Sequence, residues 1–406
     1  MTKQQEPELN IQYITAGIDV GNGYTKSCMN NQLHIVQSHA VKQYNITNDE
    51  KLRDDQYANF ITNIENEMDA SFISPLVTDT TRRLFGKRAI QSYQPIEQFD
   101  VRATKSEADL YGCLLLSTLA THALKQDYAV TKAMPTEINV VVRLATSLPI
   151  NEYKTKNKEI REKLLNKGQA HIVTIHNFER TITIKIQIAK VHIASEGEAA
   201  QYGLAAAEEP LLTYIKEEML RHYGDKYKEY DGIDYVTAEN TLGIDIGEGT
   251  MDFAIFTDRK FDRTLSYTVN KGYRTVLEDT LDTLSTQGNT YKSTKELAEA
   301  LANQPSKFKR AQWEHAQEIN KRSIVAMCDL IRDEVSRSIE RVGSYVEVVF
   351  VYGGGATALK DELYKQLDRI SQRQSNGNEI PIVYLSNEYS QYLNTHGLFL
   401  LASSLN

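Results

Sequence analysis

Cysteine is scarce in this chain. Cys28, Cys113 and Cys328 lie far apart with no Cys-x-x-Cys spacing. That excludes a disulfide framework and a thiolate metal cluster, and it suits three buried thiols in a reducing compartment. Long hydrophobic runs are missing too: no stretch approaches the roughly 20 apolar residues of a membrane span. Met1–Asn10 is polar, with no secretory pattern, and the apolar tail Leu398–Leu405 is short and carries no basic amphipathic helix. No membrane partner is expected, and a cytoplasmic location is expected. Nor is positive charge in excess. Lys and Arg number 46 against 54 Asp and Glu, a net charge of −8 with no obvious basic face, so direct DNA binding is not expected.

What is present is ordinary for a soluble globular protein: 41% hydrophobic and 25% charged residues. The length of 406 residues exceeds one ordinary core and predicts two domains. The 23 tyrosines read as half-buried packing.

The stretch that organises the chain is Leu242–Phe256, Leu-Gly-Ile-Asp-Ile-Gly-Glu-Gly-Thr-Met-Asp-Phe-Ala-Ile-Phe. Two apolar runs flank a turn with Gly247, Glu248, Gly249 and Thr250, the pattern of a β-hairpin. Glycines at such a turn let backbone N–H groups approach an anion with no Cβ in the way. Asp245 places a carboxylate beside that anion, which calls for an intervening cation such as Mg²⁺.

The chain repeats the pattern. Ala16–Lys26 reads Ala-Gly-Ile-Asp-Val-Gly-Asn-Gly-Tyr-Thr-Lys, so Asp19-x-Gly21-x-Gly23 matches Asp245-x-Gly247-x-Gly249. Two matching hairpins predict two related domains with nucleotide phosphates clamped between them. Around the first turn, Asn22, Tyr24 and Thr25 complete the loop, and Lys26 is a cation suited to outer phosphates. A third element is the strand Val348–Val351 feeding Gly353-Gly354-Gly355-Ala356, where a flat ring can lie against backbone. Walker A spacing is absent and neither hairpin completes Gly-x-Gly-x-x-Gly, so P-loop and Rossmann readings fail.

These three motifs, in this order, resemble the actin-like ATPase superfamily, and most of all the plasmid-segregation actins of the ParM type. The resemblance runs from about Ala16 to Leu405. It implies an α/β, ribonuclease H-like, two-domain fold with nucleotide in the interdomain cleft. Residues 1–240, with 390–406 returning, would form the first domain and 241–389 the second. Crossings near 196–241 and 386–396 would act as a hinge.

Taken in order, strands are predicted at Ile11–Val20, Tyr24–Met29 and Leu33–Val36, with a turn at Asn30-Asn31. Val41–Leu84 is polar apart from Ala70–Val77 and shows no long helical period. Ser106–Leu124 predicts a helix with an apolar face. Glu137–Leu148 is a buried strand whose ending, Leu148-Pro149-Ile150-Asn151-Glu152-Tyr153, resembles a Leu-Pro-x-x-Glu-Tyr run of ParM-like proteins. Lys154–Lys167 reads as a solvated amphipathic helix. Ile172–Ile175 and Thr181–Val191 alternate as strands. His171, His176 and His192 beside them lack metal-ligand spacing.

Ala194–Gly203 opens a helix after a strand. Glu196 and Glu198 both fit as helix-dipole partners. The resemblance implies that Glu196, six residues before Tyr202, positions the attacking water, with Glu198 as the alternative. Leu211–Tyr223 is helical, and Gly224–Asn240 is a polar connector at the domain boundary. Asn270-Lys271-Gly272-Tyr273, before a helix at Val276–Leu284, resembles a ribose-side loop and adds Gly272 to the site. Helices are predicted at Leu297–Leu301, Ser306–Gln317, Arg322–Val342 and Asp361–Leu367. A loop is predicted at Ser371–Asn378 with an Asn376-Gly377 turn, and a last strand at Pro381–Leu385. Lys307, Lys309 and Arg310 read as a solvated basic cluster.

The function implied is hydrolysis of ATP, or GTP, with Mg²⁺, coupled to filament assembly in plasmid partition. Asp19 and Asp245 would hold the metal through water. The partners would be copies of the chain itself and a small DNA-binding adaptor on centromere-like DNA. A sugar or metabolite kinase with the same clamp, and a cell-shape actin, are the alternatives.

Overall fold

The computed structural model describes residues 11–44, 51–100, 103–288, 291–343, 346–374 and 379–405. Two compact units divide the chain: 1–148, 152–195 and 395–406 in the first, 149–151 and 196–394 in the second.

The first unit is built on a ten-stranded sheet. Its strands are β1 (Ile11–Val20), β2 (Tyr24–Met29), β3 (Gln32–Gln37), β4 (Ala40–Lys42), β5 (Asp69–Ile73), β6 (Arg83–Phe85), β7 (Ile96–Glu97), β8 (Glu137–Leu148), β9 (His171–Ile175) and β10 (Ile182–Ser195). They lie in the order β3-β2-β1-β8-β10-β9-β5-β6-β4-β7. Asn30 and Asn31 take positive φ (47° and 66°), the tight two-residue hairpin turn that asparagine tolerates. The helices are α1 (Tyr57–Thr62), α2 (Ile64–Glu67), α3 (Gly86–Gln91), α4 (Asp109–Thr131) and α5 (Ile150–Leu165). The region 41–84, read as polar apart from Ala70–Val77 and without a long helical period, holds α1 and α2, each too short to show a period, and the strands β5 and β6. Helix α4 starts three residues later than Ser106, runs on to Thr131, and is buried on every side from Leu110 to Leu124, with Ser117, Thr118, Thr121 and His122 among the buried residues.

The second unit repeats the core. Its strands are β11 (Thr241–Ile246), β12 (Met251–Thr257), β13 (Lys260–Phe261), β14 (Tyr267–Val269), β15 (Val348–Tyr352) and β16 (Ile382–Tyr384). The sheet runs β13-β12-β11-β15-β16, with β14 on β12. β11 is antiparallel to β12 and parallel to β15, just as β1 is antiparallel to β2 and parallel to β8. The repeated motif is therefore a repeated sheet.

Helices of this unit are α6 (Glu196–Ala205), α7 (Glu209–Tyr223), α8 (Gly232–Val236), α9 (Tyr273–Thr286), α10 (Thr294–Ala302), α11 (Arg310–Arg341), α12 (Ala356–Gln374) and α13 (Asn387–Ser403), whose last turns return to the first unit. β15 is buried on both faces, as central parallel strands are. Val349 and Val351 pack with Met327, Ile331 and Leu363, while Val348 and Phe350 pack with Ala200, Leu204 and Ile215. That second cluster is why 196–240, placed by the sequence on the near side of the boundary, folds with the second unit.

Two predicted helices, Ser306–Gln317 and Arg322–Val342, are one continuous α11 of 32 residues. No Gly or Pro interrupts it, and Ile319 and Asn320, in the supposed gap, are buried. α12 starts at Ala356, directly from the glycine loop, and runs to Gln374, through the start of the predicted 371–378 loop. The Asn376-Gly377 turn lies outside the described residues. Cys28, Cys113 and Cys328 are buried free thiols, and Lys307, Lys309 and Arg310 are exposed. Among the described residues no helix is long and apolar enough to cross a membrane.

Candidate functional site

In the first unit Asp19 stands near the C-terminal end of β1, and Gly21, Asn22 and Gly23 turn the chain into β2. The Gly21 N–H donates to the Tyr24 carbonyl at 3.1 Å and closes the turn. A Cβ on Gly21 would sit 2.7 Å from that oxygen. Lys26 stands directly opposite Asp19 in the ladder, so ammonium and carboxylate share one face. Asp19 is buried, and Ser147 Oγ, on β8, donates to its Oδ1 at 3.1 Å. Thr25 is buried with its hydroxyl 2.9 Å from that of Ser38, and Tyr24 is exposed. Beyond β8, the Glu152 carboxylate accepts from the backbone N–H of Lys105 (2.8 Å) and Ser106 (3.0 Å). The Leu148–Tyr153 run thus ties the entry of α4 to the end of β8.

The second unit repeats the turn in the same register. The Gly247 N–H donates to the Thr250 carbonyl at 2.9 Å, and Asp245 faces Asp252 where Asp19 faces Lys26. Two further segments close on this turn. The Gly355 N–H donates to the Ile246 carbonyl at 2.8 Å, and the N–H groups of Tyr273 and Arg274 donate to the carbonyls of Gly247 (3.0 Å) and Glu248 (2.8 Å). A Cβ on Gly272 would sit 2.4 Å from the Glu248 carbonyl oxygen. Gly247–Thr250, Gly272 and Gly353–Ala356, far apart in sequence, therefore meet. The Glu248 carboxylate turns to Arg274 Nε at 3.0 Å. Gly353 has φ +100°, and a Cβ there would lie 2.3 Å from Asp245 Oδ1; around Gly354 there is open space.

Glu196 is the first residue of α6 and is buried. A Cβ on the next residue, Gly197, would lie 2.2 Å from that of Ala254, so α6 lies hard against β12 and Glu196 hydrogen-bonds Asp252. Asp252 also accepts from Thr268 Oγ1 and, at 3.4 Å, from the Ile150 N–H. Burial above all, then the charge of Glu196, holds the Asp252 carboxyl well above the usual carboxylate range. Glu198 is half-exposed and lines a separate recess of about 510 Å³ with Tyr202, Phe256 and Phe261. Asp252 was not among the sequence-predicted site residues. Its one signal is its register, opposite Asp245 at the position that Lys26 holds in the first hairpin.

His171 is clamped between Ser74 Oγ and the Leu164 carbonyl, both at 2.8 Å, and His176 meets Ser71 Oγ. These are packing histidines. Among the described residues no group of three or more His, Cys, Asp or Glu could hold a metal ion unaided. Within each unit, a lone carboxylate beside a glycine turn is the kind of donor that a hard cation keeping most of its waters meets alongside phosphates, as Mg²⁺ does. The glycine cradles, which a Cβ would fill, fit the phosphates themselves.

Residues 17–198 match the family model "Actin like proteins N terminal domain", and residues 243–365 match "Archaeal actin homologue MreB-like, C-terminal". No curated protein matches the chain. Among solved structures, apo pSK41 ParM is 16% identical over 97% of this chain and 98% of its own, with a TM-score of 0.55. Ta0583, an archaeal actin homolog, is 15% identical over 96% and 99%, with a TM-score of 0.61. Bacillus thuringiensis ParM with AMPPNP is 14% identical over 97% and 99%, with a TM-score of 0.58. At these identities the likeness is one of fold.

Proposed function

Starting from the membership of this chain in the actin-like superfamily, we propose that it is a nucleoside triphosphatase whose cycle drives filament assembly in plasmid DNA partition. The observation that carries the reading is the pair of Asp-x-Gly-x-Gly hairpins in identical register, each at the end of an equivalent sheet strand. ParM proteins and a nucleotide-bound ParM among the similar structures support it.

Phosphoryl transfer to water needs positioning and charge neutralisation more than covalent chemistry. In this reading the backbone amides of Gly21–Gly23 and Gly247–Gly249 bind the β- and γ-phosphates of ATP or GTP, and Lys26 adds charge. Gly272 and Gly353–Ala356 lie against the nucleoside. Asp19 and Asp245 hold Mg²⁺ through its waters. The metal supplies neutralisation of phosphate charge that the four carboxyl groups of Glu196, Asp245, Glu248 and Asp252 cannot. Glu196 orients the attacking water, and its hydrogen bond to Asp252 holds it in place. Partners are further copies of the chain and a small adaptor bound to centromere-like DNA, in the cytoplasm of a bacterium.

A fluorescent-nucleotide titration with and without chelator tests the site. Binding should tighten with Mg²⁺, and Asp19→Asn or Asp245→Asn should remove most of that gain. No nucleotide binding under either condition overturns the reading.

A further inference from the structure

Asn394 is a half-buried polar residue on α13. Leu393 beside it and Leu398 one turn on are buried, as is Thr395. It is the last residue of the second unit before α13 carries the chain back to the first. Its Nδ2 donates to Asp245 Oδ2 at 2.9 Å, across 149 residues of sequence. Its Oδ1 is buried and meets no hydrogen-bond partner among the described residues. An amide with one atom buried and unpaired costs stability. A leucine would fill the site without that cost.

The other half of the amide explains its presence. The χ2 torsion of an aspartate is broad and two-fold, so a free carboxylate samples many orientations. Here one oxygen is tied to Asn394, while the other lies where a Cβ on Gly353 would intrude at 2.3 Å. An amide N–H can only donate to a carboxylate, and it carries no charge. It therefore orients Asp245 without neutralising it, which a lysine in its place would do.

We propose that Asn394 is the positioning residue for Asp245: it fixes the carboxylate plane so that Asp245 presents a set orientation to the hydrated Mg²⁺ of a bound nucleotide. This rests on the reading of Asp245 as the metal-side carboxylate. Outer partners that orient a ligand are commonly worth about 10–100-fold in metal affinity.

The test uses the full chain and a fluorescent ATP analogue, titrated at a series of Mg²⁺ concentrations and in chelator, with a melting curve of each apo variant. Asn394→Leu keeps the volume and loses the donor, and Asn394→Ala repeats the measurement with atoms only removed. The expected result is about a tenfold rise in the Mg²⁺ concentration needed for half of the affinity gain. Chelator affinity should be unchanged, and melting equal to or above that of the parent. If Asp245→Asn abolishes the Mg²⁺ dependence while both Asn394 variants leave it intact, Asn394 is only a packing residue and the inference is overturned. If Asp245→Asn itself leaves the Mg²⁺ dependence intact, the reading of Asp245 fails and this inference with it.

Discussion

Glu196 and Asp252 hydrogen-bond to each other through their carboxyl groups, and burial above all, then the charge of Glu196, raises the pKa of Asp252 well above the usual carboxylate range. A carboxyl group at the start of α6, held in place by a hydrogen-bonded partner, can orient a water. Glu198, on the same helix, faces a different recess. Glu196→Gln should slow nucleotide hydrolysis by about 10²-fold, the usual worth of one positioned acid–base group. Glu198→Gln should leave the rate within about twofold. Single-turnover phosphate release measures both, and the reverse ranking would move the role to Glu198.

The glycine loop makes a contrast within two adjacent residues. Gly353→Ala forces a side chain into φ +100° and against Asp245, whereas Gly354→Ala meets open space. The first should cost roughly 1–3 kcal/mol, the scale of backbone strain, and should weaken nucleotide binding. The second should melt as the parent does. Denaturant melts of the two variants check this, and equal stabilities would contradict the loop geometry.

His122, on α4, packs edge-on against His34 at 5.6 Å and is 1% exposed. Its two ring nitrogens meet no partner among the described residues. Burial first, then His34 and Lys125, pushes its pKa down to about 4. The unfolded chain takes up this proton near pH 6.5 and the folded chain only near 4. The contribution is therefore fully present above about 6.5 and is lost as pH falls towards 4, by up to about 3 kcal/mol. His122→Leu should flatten the pH dependence of the unfolding free energy across that window. An unchanged slope would contradict a neutral, buried His122.

Much of the scaffold was legible where local chemistry decides it. β1 and β8 have the predicted bounds because β-branched runs end at glycine or proline. The 318–321 stretch of α11 misled because Glu-Ile-Asn-Lys looks like a polar break. What makes it helix is the burial of Ile319 and Asn320, together with the lack of any breaker. At the site, the glycine turns announced themselves twice, but the acid chemistry did not. The state of Asp252 depends on Glu196, Thr268 and Ile150, and the orientation of Asp245 depends on Asn394. No spacing rule links residues so far apart, since only the folded sheet brings them together.

The most direct test of the central claim is sedimentation and light scattering of the purified chain with Mg²⁺ and ATP or GTP. A head-to-tail contact that propagates instead of closing gives filaments above a critical concentration. Nucleotide binding biases the conformation that makes those contacts fit. The account predicts that scattering and pelleting rise with nucleotide in the micromolar range, decay as nucleotide is consumed, and persist with a non-hydrolysable analogue or with Glu196→Gln. Absence of any polymer, with nucleotide turnover appearing only when a small hydroxyl substrate is added, would contradict it and identify a kinase.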